Sequence, residues 1–258
     1  MVPMPLTVVI IAGTLGLVGL LIAGIAYASV AARGSTPGIR QAWIMGVSAT
    51  ILLGWIGILF VLGPRGAFAA TPDTSNPAIA FGIGIPIILG LCCFAASGRV
   101  RTLVTAIPLH WLIAVQLYRV LGVSFLVAYL WQIMPAEFAV HAGIGDTLVG
   151  LTAPLAAYAV MKKVRSARVL ARSWNVLGIA ELVLAVTLGF LTSPTALQQL
   201  ALSMPNSLIT RYPFVLFPTF VVPVSILLHA AALWRLRSAA ITAVDEDSRR
   251  ARLSTAGG

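Results

Sequence analysis

Seven long apolar runs alternate along the chain with short polar stretches. A helix that crosses a bilayer needs roughly 20 consecutive, mostly apolar residues. Runs of that kind lie at about 6–31, 42–63, 78–98, 103–132, 140–161, 174–192 and 213–234. The pattern predicts an all-α integral membrane protein, with seven transmembrane helices in a single domain over residues 1–237. From 238 to 258 the residues are polar, mixed in charge and without a sustained apolar face, which predicts a flexible cytoplasmic tail.

Finer features follow from small and ring-closed residues. The fourth run is long enough for one tilted helix, with Pro108 a candidate break. Ser193-Pro194 precedes Leu197, Leu200 and Met204 on one helical face, predicting a short interfacial helix at about 194–204 on the outer surface. Pro218 and Pro223 free backbone carbonyls in the seventh run and predict a kink. In the first run Ala12, Gly16, Gly19, Ala23 and Ala26 alternate at spacings of four and three. Small residues let helices approach closely in lipid, so this seam predicts a packed helix face and a candidate surface for an oligomer or complex partner.

Composition removes the soluble alternatives. Hydrophobic residues make up 59% of the 258 and charged ones 9%, whereas a soluble domain carries about a quarter charged residues. The net charge of +10 is explained by where the cations stand. Arg33 and Arg40 follow the first run, Arg99 and Arg101 the third, Lys162, Lys163, Arg165, Arg168 and Arg172 the fifth, and Arg235 and Arg237 the last. The alternate loops carry only Arg65 and Arg211. Lys and Arg are retained on the cytoplasmic side, so the bias predicts an outside N-terminus, a cytoplasmic C-terminus and an odd number of crossings. The basic loop at 162–172 would attract anionic lipid at about 1 kcal/mol per charge. With the cations so explained, nucleic-acid binding has no support. Ala26-Tyr27-Ala28 resembles a signal-peptide processing site, but no Lys or Arg precedes the first run, so that segment is expected to be retained. The adjacent Cys92 and Cys93 are poorly placed for a disulfide or a zinc site and are expected to serve as small packing residues.

Ionisable residues inside the runs are costly, roughly 2.5–3.5 kcal/mol each on insertion scales, so each needs a partner or a function. Five qualify: His110, Arg119, Asp146, Glu181 and His229. Counting depth from the cytoplasmic cations at about 1.5 Å per residue puts Arg119 near 27 Å and Asp146 near 24 Å. Consecutive helices are usually neighbours, which predicts a buried Arg119–Asp146 ion pair or a solute site built on it. The same count puts His110, Glu181 and His229 in a second layer at roughly 9–13 Å. That trio is a candidate proton relay, or, through His110 and His229, a pair of axial ligands for haem b. Gly143 and Gly145 before Asp146 permit close backbone approach, so the carboxylate is expected at the bottom of an outward-opening depression. Glu137 and His141 would form its outer rim, two potential ligands without the third that a metal site needs.

Taken together, Arg119-x-x-Gly122, Pro135-x-x-Phe138-Ala139-x-x-Ala142-Gly143-x-Gly145-Asp146-x-x-x-Gly150 and Trp174-Asn175-x-x-Gly178 resemble the pattern of an uncharacterised family of bacterial multi-pass inner-membrane proteins. The resemblance covers about 60 residues and brings no activity with it. It implies a bacterial inner-membrane location, and that Arg119, Asp146 and Asn175 belong to one central pattern.

Several function classes fall away. A retinal Schiff base needs a lysine in the last span, and the only lysines are Lys162 and Lys163. Walker loops, two-histidine zincin helices and nucleophile elbows are missing from the sequence, so an enzyme is not the favoured reading. What remains is a transporter, channel or receptor-like protein handling a small solute or protons. The alternatives are a b-type haem redox protein and a structural subunit of a membrane complex.

Overall fold

The computed structural model describes residues 2–31, 39–71 and 77–238, and the expected tail at 239–258 lies outside them. All seven runs form helices long and apolar enough to cross a membrane. They are α1 (Met4–Ala31), α2 (Ile39–Leu62), α3 (Ala78–Ala96), α5 (Leu109–Leu130), α6 (Ala136–Met161), α7 (Ala167–Thr192) and α8 (Phe217–Ser238), with a short α4 (Gly98–Ala106) after α3. No sheet forms among the described residues.

Burial ranks the helices by position. In α8 67% of the most apolar window is buried, against 11% in α2 and 6% in α3. Thus α8 is central and α2 and α3 are peripheral. The π-helical start of α8 packs against α3, and α8 is hydrogen-bonded to α5 through Ser225 and to α7 through His229; α6 packs along both α5 and α7, while α1 packs against α2 and touches α4 and α5. The main core joins Phe125, Phe138, Phe214, Phe217 and Phe220 from three of these segments.

The fourth run is broken, and the break changes where depth is counted from. The Ser97 hydroxyl accepts from Val100 N at 3.3 Å and caps α4. Pro108 has no N–H to donate and biases the residue before it away from helix, and Ile107 is extended at φ −78°, ψ 128°. Arg101 therefore belongs to α4, not to the spanning helix. Its guanidinium reaches back to the carbonyls of Phe94, 3.1 Å, and Ala95, 2.5 Å, at the end of α3, where the helix dipole favours a cation. Within α5 the middle stretch Val115–Gly122 is a 3₁₀-helix. The kink expected from Pro218 takes the form of a π-helical turn at Phe217–Val221. Such irregular turns inside helices are frequent at functional sites.

Three expectations are corrected. Residues 194–204 form turns instead of an interfacial helix. The amides of Gln199 and Leu200 both donate to the Leu191 carbonyl, and the Asn206 amide donates to the Thr192 carbonyl. The segment is thus spent capping the end of α7, and Ala201, at φ 55°, interrupts helical backbone. In α1 the face buried within the chain carries Leu6, Ile10, Thr14, Leu17 and Val18. Of the small-residue seam, Ala12, Gly16, Gly19 and Ala23 are exposed. The larger side chains remove more surface by packing, and the glycine met closely is Gly13, against Leu121. Cys92 and Cys93, expected to pack, are exposed on α3.

Candidate functional site

Four helices deliver ionisable groups to one buried point. Arg119 lies ten residues past the start of α5, Asp146 ten past the start of α6, Glu181 fourteen past that of α7 and His229 twelve past that of α8. Each is close to midway along its span. The 3₁₀ geometry of α5 stacks side chains three apart, so Gln116, Arg119 and Gly122 share a face, and all three are buried.

Arg119 is the hub. Its Nε–H donates to Asp146 Oδ1 at 2.7 Å. Nη2 pairs with Glu181 Oε2. Nη1 donates to the Gly178 carbonyl at 3.3 Å and meets His229 Nε2, also at 3.3 Å. The Arg119 side chain is fully buried, while those of Asp146 and Glu181 keep 8% and 14% of their surface.

The chain of partners fixes the state of His229. Asn175 Nδ2 donates to the Ala171 carbonyl at 2.7 Å, so the amide oxygen is the atom that faces His229 Nδ1 at 2.9 Å. That oxygen only accepts, hence Nδ1 carries the proton. A guanidinium only donates, hence Nε2 accepts from Arg119. The imidazole is neutral with its hydrogen on Nδ1. With both carboxyls ionised, the group holds one positive and two negative charges, a net −1.

Close backbone approach makes the cluster possible, and the glycines of the sequence pattern supply it. A Cβ on Gly145 would meet Glu181 Cγ at 2.6 Å, and one on Gly178 would meet the His229 ring at 2.5 Å. Gly150 lies against the backbone of Arg119 and Val120, and a Cβ on Gly122 would fall on Asp146. These four small positions draw α5, α6, α7 and α8 together around the guanidinium.

The two expected layers are therefore one, except for His110. Depth for Arg119 was counted from Arg101, which the break at Pro108 removes from the span. Glu181 and His229 join Arg119, Asp146 and Asn175, whereas His110 is half-buried with its ring edge-on to Trp111. The paired-histidine haem reading finds no support in the same geometry. His229 is fully buried and both its ring nitrogens are engaged, by Asn175 and Arg119. Glu137 and His141, expected at the outer rim, are exposed, and the His141 ring bonds the Glu137 backbone carbonyl at 2.9 Å, not its carboxylate. Among the described residues no cluster of three or more His, Cys, Asp or Glu is arranged to hold a metal ion.

Other polar contacts escaped the sequence reading. Ser225 donates to the Val221 carbonyl and receives the Tyr118 hydroxyl at 2.6 Å, and Gln116 Nε2 donates to the Ser225 carbonyl at 3.3 Å. The Trp174 indole donates to Thr152 at 3.0 Å, with its ring beside His229. Tyr118 and Gln116, flanking Arg119 in an apolar run, were the available signal.

Asp146 also borders a cavity. It encloses about 590 Å³ of free space, its open mouth included, between α3, α5, α6, α7 and α8. Its wall is largely apolar, and Ser193, Thr195, Ile209 and Thr210 of the segment after α7 contribute to it. Asp146 thus lies in the wall of a cavity lined by aromatic and aliphatic side chains.

A family model described as Domain of unknown function (DUF8737) matches residues 76–237. The match takes in α3 to α8 and every residue of the polar cluster, and leaves α1 and α2 outside it. No curated protein and no solved structure matches the chain.

Proposed function

The chain belongs to the DUF8737 family, and we propose that this member handles protons together with a small solute across a bacterial inner membrane, as a transporter, channel or receptor-like protein. The observation that carries the reading is one guanidinium shared by two carboxylates deep within the helices, beside a cavity. A net charge held in a low-dielectric interior is costly. One proton, on Asp146 or Glu181, removes that charge. The cluster is thus a site that gains and loses a proton as its surroundings change. On this reading Arg119 anchors the carboxylates, while His229 and Asn175 hold the guanidinium in place. The cation bias of the loops supports an outside N-terminus and a cytoplasmic C-terminus, with the exposed basic residues at 162–172 against anionic lipid headgroups.

Reconstituted vesicles containing a pH-sensitive dye provide the test. Under an imposed inside-negative potential, the wild-type protein is expected to acidify the lumen faster than protein-free vesicles, and Glu181→Gln to return the rate to the protein-free value. Equal rates for wild type and variant would overturn proton handling.

A second reading has an observation of its own. Nearly all donor positions of Arg119 are engaged within the chain, as an interhelical tie in a structural subunit would require. Replacing Arg119, Asp146 and Glu181 together by Met, Leu and Met separates the two. A pure tie predicts a folded protein with unaltered behaviour of any partner complex.

A further inference from the structure

We propose that the cavity beside Asp146 binds a small monovalent organic cation, its charge against the Asp146 carboxylate and its apolar body among Phe125, Phe138, Phe190 and Phe217. The inference deepens the proton-handling reading and rests on the same charge count.

The wall chemistry selects the ligand. Phe125, Phe138, Phe190 and Phe217 come from α5, α6, α7 and α8 and line the space, with aliphatic side chains between them. Asp146 is the sole charged residue in the lining. It is 6% exposed, and among the described residues its one hydrogen-bond partner is Arg119, through Oδ1.

Charge then narrows the class. Asp146 faces Arg119 of α5, which also faces Glu181 of α7 and the neutral His229 of α8. One positive against two negatives leaves one negative charge uncompensated, so an anion is repelled and a neutral apolar molecule gains nothing from the carboxylate. Inorganic cations such as calcium take six to eight oxygens, and this wall offers one carboxylate and a few hydroxyls. An organic cation needs no such shell, because aromatic faces attract it directly when it is desolvated. The same uncompensated charge is the one a proton neutralises, so ligand and proton compete for it.

Phenyltrimethylammonium is a suitable probe, because tert-butylbenzene has the same shape without the charge and benzenesulfonate carries the opposite one. Equilibrium binding of the labelled cation to the full chain in lipid nanodiscs is expected to saturate. Competition by tert-butylbenzene should be at least tenfold weaker than by unlabelled cation, and benzenesulfonate should not compete. Asp146→Asn should weaken binding at least tenfold. Phe190→Leu, a change of wall that leaves the ionic cluster intact, should weaken it severalfold and carries the test where Asp146→Asn does not fold. Absence of saturable binding to folded protein, equal competition by the neutral isostere, or unchanged affinity in folded variants would overturn the inference. Proton flux that responds to Glu181→Gln without cation binding sinks this inference alone. Cation binding without proton flux sinks the proton reading instead.

Discussion

Removing the guanidinium of Arg119 leaves two carboxylates and an imidazole facing one another without the cation that joins them. Breaking a buried ion pair from one side typically costs 3–5 kcal/mol, while replacing the whole group by apolar residues is often neutral. Arg119→Met is therefore expected to lose about 3–5 kcal/mol in reversible unfolding from lipid or detergent, and the triple replacement with Asp146→Leu and Glu181→Met to recover most of it. A second residue-scale expectation concerns Gly178. A methyl group there meets the His229 ring at 2.5 Å, and overpacking costs typically 1–3 kcal/mol. Gly178→Ala should unfold earlier by about that amount. At this scale the sequence was partly legible. Asp146 follows Arg119 in the next helix, so adjacency and similar depth together suggested their pairing. Glu181 comes from the helix after that; counted from Arg172 it fell in a shallower layer than Arg119, whose own count began at Arg101, in a separate helix. His110 was placed in one layer with Glu181 and His229 by a count from Arg101, and the structure leaves it half-buried beside Trp111.

Irregular elements shape the polar cluster and part of the cavity wall. The 3₁₀ stretch in α5 aligns Gln116 with Arg119, and the π-helical turn of α8 contributes Phe217 and Pro218 to the cavity wall. Pro108 and Pro218 marked two of these places in the sequence, but not the geometry that followed. A turn that spends its amides on the end of another helix has no periodic signature, which is why 194–204 read as helix. Asn206 is the lock on that turn. It is 1% exposed, its side-chain nitrogen donates to the Thr192 hydroxyl at 3.4 Å, and its side-chain oxygen accepts from Ile209 N at 3.4 Å. Losing buried hydrogen-bonding partners costs about 1–3 kcal/mol. Asn206→Ala should destabilise the protein by that order and accelerate release of a ligand held in the cavity. Stopped-flow dissociation of bound phenyltrimethylammonium would read the second effect, and an unchanged release rate would remove the segment's role in retaining it.

For the whole molecule, seven helices long and apolar enough to cross a membrane, together with the cation bias, predict an orientation independently of the cluster. A reporter active only in the cytoplasm should work when fused after Gly258, and one active only outside should work when fused to the N-terminal end. The reverse pattern would invert the proposed direction of the cavity. The crossing helices were legible because each had to present enough apolar length to lipid, a requirement that leaves its mark on every residue. The cavity was not, because the same phenylalanines that line it read as ordinary apolar positions. Its chemistry depends on a single balance, two acids around one guanidinium with a neutral imidazole behind it. Infrared difference spectroscopy on the protein in lipid, taken across a pH titration, reads that balance directly. The account predicts one protonated carboxyl band, absent from Glu181→Gln or Asp146→Asn, that disappears as the pH rises. Ionised carboxylates alone at every pH at which the protein stays folded would contradict it.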